Sequence, residues 1–131
     1  MSDAIHWEAL TLGQRDELVH EKVMGHRYSM VEHEAPSRAG GIAFTYSVKT
    51  WQTGGQEIPH YTRSLDAAWF LIEYLRKQRF DVHLAVDPLE YDVMILDRRL
   101  GGRSFEAITE SASEAICIAA LRAVGITVIT D

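Results

Sequence analysis

Ile58-Pro59-His60-Tyr61-Thr62-Arg63-Ser64-Leu65-Asp66-Ala67-Ala68-Trp69 carries a polar, aromatic and cationic loop straight into a helix start. Ser64 stands where its hydroxyl can accept from a free amide of the first turn. Behind it Ala68, Trp69, Leu71, Ile72 and Leu75 repeat at helical spacing and predict the buried side of a helix from Leu65 to about Gln78. Arg76, Lys77 and Arg79 complement the negative end of that helix. Trp69 is expected in the core.

Upstream, Thr11 and Gln14 have capping-box spacing, Leu18, Val19, Val23 and Met24 follow a helical period, and Gly25 is a left-handed stop. The polar stretch from His26 to Gly41 reads as loop or irregular edge. Ile42 to Val48 alternates, with Ile42, Phe44, Tyr46 and Val48 on one face of a strand. A long loop from Thr50 to Arg63, with Gly54-Gly55 and Pro59, leads back to the opening stretch. Long loops in compact domains are often functional.

Downstream, Phe80–Val86 and Tyr91–Leu96 alternate around the turn residues Asp87-Pro88 and predict an antiparallel hairpin. Gly101-Gly102 turns the chain into a further strand, Arg103–Ile108. Ser111 and Glu114 have capping-box spacing for a last helix that ends at Gly125. Ile126–Thr130 has strand propensity and would add an edge strand, pair with another subunit, or fray. The fold class is α+β, a mainly antiparallel sheet of about four strands packed with three helices as an α-β-α sandwich. The 131 residues are read as one domain, 1–131.

Composition narrows the function classes. With 47% hydrophobic and 24% charged residues, the chain has the make-up of a globular protein. The longest apolar run, Ala67 to Ile72, is far short of the roughly 20 residues a membrane span needs. Met1 to His6 lacks a basic region followed by an apolar core, so no secretory signal is read. The single Cys117 excludes an internal disulfide framework and, set among apolar helix residues, reads as a buried small hydrophobe. A net charge of -6 argues against duplex nucleic acid as partner but leaves room for a local cationic pocket.

Three blocks together resemble the phage ABA-sandwich domain family, whose members are small phage-encoded proteins. Leu18 to Gly25 is similar to the family's first helix ending, Pro59 to Trp69 to its proline-tyrosine turn and alanine-tryptophan helix, and Ala115 to Leu121 to its last helix. Ser64 replaces the more usual acidic cap, and Ala112 a frequent proline. The resemblance implies a phage or prophage origin and helices flanking a sheet. It implies no chemistry.

Two candidate ligand regions remain. A helix N-terminus offers free amides to an anion, Arg63 adds a planar cation, and Tyr61 or Trp51 could stack on a base, with His60 in the same loop. The alternative is that Ser64 merely caps while Tyr61 braces the loop. Arg98, Arg99 and Arg103 around the Gly101-Gly102 turn form the densest cationic cluster, suited to phosphate or carboxylate, or else are simply solvated. The ligand-binding set is therefore Trp51, His60, Tyr61, Arg63, Ser64, Arg98, Arg99 and Arg103. The six histidines lack metal-ligand spacing, so neither metal nor cofactor is expected.

No Gly-x-Ser-x-Gly, Walker or dinucleotide motif is present, and non-catalytic binding is expected over enzyme activity. The expected function is a phage accessory protein, acting in the bacterial host cytoplasm, that binds and sequesters an anionic, nucleotide-derived small molecule of antiviral signalling. A module that inhibits or caps a host or phage protein is the alternative, and a nucleotide-acting enzyme ranks third. No membrane partner is expected. Homo-oligomerisation is expected under each.

Overall fold

A computed structural model describes residues 4–52, 58–99 and 101–130. Its elements in order are β1 (Ile5–His6), a 3-10 turn (Trp7–Ala9), α1 (Leu12–Lys22), β2 (Tyr28–Pro36), β3 (Ile42–Trp51), α2 (Leu65–Lys77), β4 (Phe80–Val86), β5 (Tyr91–Asp97), β6 (Arg103–Thr109), α3 (Ala112–Ala123) and β7 (Val128–Ile129). The expected α+β class with three helices is what forms. Among the described residues the strands number seven rather than about four, and they divide into three small sheets.

The central sheet is the antiparallel meander β4-β5-β6. Strand alternation puts Val82, Val93, Ile95, Phe105 and Ala107 on one face, and α3 lies across that face, with α2 packed on β4 and on α3. Helix α3 is small-residued and apolar nearly all round, and Ala115 to Leu121 is buried without a break. A helix with that composition belongs in the middle of a core. Cys117 is fully buried there, as expected, and burial pushes its thiol well up.

Helix α1 has its full capping box: Gln14 N donates to Thr11 Oγ1 at 3.1 Å, and Thr11 N to Gln14 Oε1 at 2.9 Å. Gly25 follows with φ 73°, the left-handed conformation a glycine takes without a Cβ clash. For α3 only half of the predicted box exists. Ser111 Oγ accepts from Glu114 N at 3.4 Å, but the Glu114 carboxylate turns away to accept from Trp7 Nε1 at 3.1 Å and from Arg15 at 2.7 Å. One charged acceptor thus ties the 3-10 turn, α1 and α3 together.

Two expectations are corrected. Residues 28–36 are not loop: they form β2, hydrogen-bonded along its length to β3 from Tyr28↔Trp51 to Pro36↔Ile42. Trp69 is not core but 50% exposed. The stripe that meets α3 and β4 is Ala68, Leu71, Ile72 and Leu75, and Trp69 lies about 100° around the helix from Ala68, outside it. At the other end of the chain, the 126–130 segment supplies β7, which pairs in parallel with β1 through Ile5↔Val128 and His6↔Ile129.

Candidate functional site

Two places meet the predicted residues, and they are built differently. The first is the turn before α2. Asp16 and His20, one helical turn apart on the buried side of α1, reach into it. Asp16, nearly fully buried, accepts from Thr62 N at 2.9 Å, from Thr62 Oγ1 at 2.8 Å and from the Arg63 guanidinium at 3.3 Å. His60 Nδ1 lies 3.7 Å from the same carboxylate and in contact with Arg63. Ser64 Oγ caps α2 by accepting from Ala67 N at 3.2 Å.

His20 holds the neighbouring residue. Its Nδ1 is hydrogen-bonded to the Tyr61 hydroxyl at 2.8 Å, and both side chains are buried. Burial, with a lesser contribution from His26, lowers the His20 pKa from 6.5 to about 4; burial raises that of Tyr61 to about 12. The bond therefore joins a neutral imidazole to a protonated phenol at neutral pH. His26 stacks on His20 at 4.2 Å between ring centroids, and buried Trp51 meets it edge-on at 4.7 Å. Trp51, Tyr61 and Ser64 thus serve as a brace, and Arg63 neutralises a buried carboxylate. Beside them lies a mainly apolar cavity of about 490 Å³, lined by His20, His26, Tyr61, Phe70 and Tyr74 among others. Its lining also includes the charged side chains of Glu73 and Lys77.

The second place is the end of the β5–β6 hairpin. Gly101 and Gly102, with φ 75° and 77°, turn the chain so tightly that Asp97 and Arg103 stand opposite one another in register. The predicted arginine cluster divides there. Arg98 pairs with Asp81, outside the cavity lining. Arg99 and Arg103 stay on the side of the helices and line a cavity of about 450 Å³ with Tyr74, Phe80, Asp97 and Phe105. Arg99 grips Asp97 with two side-chain donors at 3.1 and 3.2 Å and its own amide at 2.9 Å, and sits 4.6 Å over the Phe80 ring. Those bonds from Arg99, and the charge of Arg103 nearby, hold the Asp97 carboxyl below its usual pKa. Arg103 lies 5.9 Å over Phe105, and among the described residues it forms no salt bridge.

Arg63, His60 and Ser64 line neither cavity, so the structure does not bring the two predicted regions together. Sequence reasoning passed over Asp16 and His20, although their i, i+4 spacing within the apolar stripe of α1 (Asp16, Val19, His20, Val23) was a visible signal. It also passed over Tyr74, Phe80 and Phe105, whose convergence depends on strand register. The Gly54-Gly55 part of the loop lies outside the described residues.

No helix among the described residues is long and apolar enough to cross a membrane. Comparison with curated proteins and with solved structures returns no match. The family model of the phage ABA sandwich domain matches residues 17–121, from α1 to the body of α3. That span takes in all three blocks of resemblance, and the chain belongs to the phage ABA sandwich domain family.

Proposed function

We propose that this phage protein binds an anionic, nucleotide-derived small molecule without transforming it, in the cavity walled by Arg99 and Arg103. The observation that carries the reading is the pairing of each arginine with a phenylalanine around about 450 Å³. That volume falls within the range of small-molecule sites. Guanidinium groups present planar, forked donors to phosphate, and the half-buried Tyr74 ring on the lining offers a face to a base. Because Arg99 is already engaged by Asp97, Arg103 is assigned the leading phosphate contact. Sequestration of a bacterial antiviral signal is the role we assign to such binding, on the support of the phage family alone.

Calorimetry against cyclic dinucleotides and ADP-ribose derivatives, with inorganic phosphate as a control, tests the proposal. Binding that weakens about 10-fold or more in Arg103→Ala, a loss of about 1.4 kcal/mol, supports it. Arg63→Ala should leave affinity unchanged. Silence from every phosphate ligand would remove the reading. The second reading, a module that covers a host or phage protein, draws on Trp69 and Phe70, 50% and 64% exposed on α2. A stoichiometric host protein retained on the wild type and lost in Trp69→Ser would favour it.

A further inference from the structure

The bracing of Tyr61 leaves one polar atom over. His20 is 4% exposed, and its Nε2 has no hydrogen-bond partner among the described residues. Buried polar atoms are rarely left so. Burial keeps the ring uncharged at neutral pH, so one of its two nitrogens carries a proton. Were that nitrogen Nδ1, the Tyr61 hydroxyl proton and the Nε2 lone pair would both lack a partner. With the hydroxyl donating to Nδ1 at 2.8 Å, only the Nε2 proton does, and this tautomer leaves fewer bonds unmade. Trp51, nearly perpendicular to the His20 ring at 4.7 Å, offers that proton at best a weak π contact. Nε2 of His20 is therefore a donor that lacks an acceptor.

His20 also lines the cavity of about 490 Å³ at the end of α1, where α2 and the turn before it close the other sides. From α2 come Phe70, Glu73, Tyr74 and Lys77, at i, i+3, i+4 and i+7, a stripe separate from the one that meets α3. Met24 and the rings of Phe70, Tyr74 and His26 make a polarisable, aromatic lining suited to a flat apolar molecule. Phe70, 64% exposed, is a wall that an occupant would cover. The volume lies in the range of small-molecule sites.

Charge and polarity narrow the occupant further. Glu73 and Lys77 have opposite signs, and both Glu73 oxygens already accept from Arg76 at 3.1 Å. A charged occupant would lose hydration with no buried counter-charge to replace it. An uncharged aromatic molecule fits, and His20 sets its polar requirement, an acceptor. Nε2 is closed to solvent, so the occupant meets it as the stacked His20 and His26 rings shift, a side-chain adjustment common on binding.

We propose that this cavity is a second small-molecule site, apart from the arginine-walled one, that takes an uncharged aromatic carbonyl compound whose oxygen accepts from His20 Nε2. The pair 1-indanone and indane, alike in shape but for the carbonyl, tests it by nuclear magnetic resonance titration of the full chain up to roughly 1 mM. In the wild type, 1-indanone should bind about 5-fold more tightly than indane, the reverse of their hydrophobic order, and should shift the His20 Nε2 resonance. His20→Phe should restore the hydrophobic order. Phe70→Ala, at an exposed position, should weaken both about 3-fold or more. Arg103→Ala should change neither, which keeps this result apart from the nucleotide reading. Indane binding the wild type more tightly than 1-indanone overturns the proposal. So does binding of neither, binding that leaves the His20 nitrogens unshifted, or indifference to Phe70→Ala.

Discussion

Asp16 is the residue on which the region around Tyr61 depends. A buried carboxylate is tolerable only when donors surround it, and this one has a backbone amide, a hydroxyl and a guanidinium. Asp16→Ala leaves the Thr62 amide and hydroxyl buried without an acceptor, and should cost about 2–3 kcal/mol in urea unfolding. His20 makes a different prediction, in pH. Its folded pKa of about 4 lies below the unfolded 6.5, so the unfolded chain takes up a proton that the folded one refuses. The stability it contributes is whole above pH 6.5 and is lost progressively as pH falls towards 4. His20→Phe should flatten that part of the curve, which thermal melts at half-unit pH steps will show. The role of Tyr61 could not be read from its position beside a cap, because the bracing partners come from a helix more than forty residues earlier in the chain.

Elements were legible where local signals settle them. The Thr11 and Ser111 caps, the Asp87-Pro88 turn and the three-stranded meander all stand as spacing predicted. Strand β2 was not, because a ribbon exposed on both faces imposes no strict alternation, and Pro36 at its end resembles a loop signal. The Trp69 expectation failed for a related reason. An apolar residue next to an apolar stripe looks buried unless the stripe's width is known. At this scale Ser111→Ala should cost about 1 kcal/mol through the lost cap. Glu114→Ala should cost more, about 2 kcal/mol, since it strips acceptors from Trp7 and Arg15 together. Arg79, just past α2, holds φ at 70°. Arg79→Gly relieves a Cβ clash and should raise stability by about 0.5–1 kcal/mol in the same assay.

For the molecule as a whole, Cys117 gives a reading of cooperativity. It lies in the fully buried heart of α3 with its thiol pushed well up, so a disulfide reagent should modify it only when the core opens. Labelling should therefore be slow in the native protein, at a rate that tracks global stability. The core and the three helices follow from apolar periodicity, which is why they could be anticipated. The arginine cavity could not, because Arg98 and Arg99 lie in the turn beyond β5, where neither alternation nor composition says which one faces the helices.

The parallel pairing of β1 with β7 sets the order of events when the polypeptide is made. Val128 and Ile129 are synthesised long after Ile5 and His6, their partners in register. Until they arrive, Trp7 has neither the finished α3 nor the closing strand beside it. A pair this distant in sequence closes a long loop, so it should form after the meander and the helices have condensed. Arg122, donating to Glu106 O at 2.7 Å and to Val128 O at 2.8 Å, then ties β7 to β6 and latches that late-made strand in place.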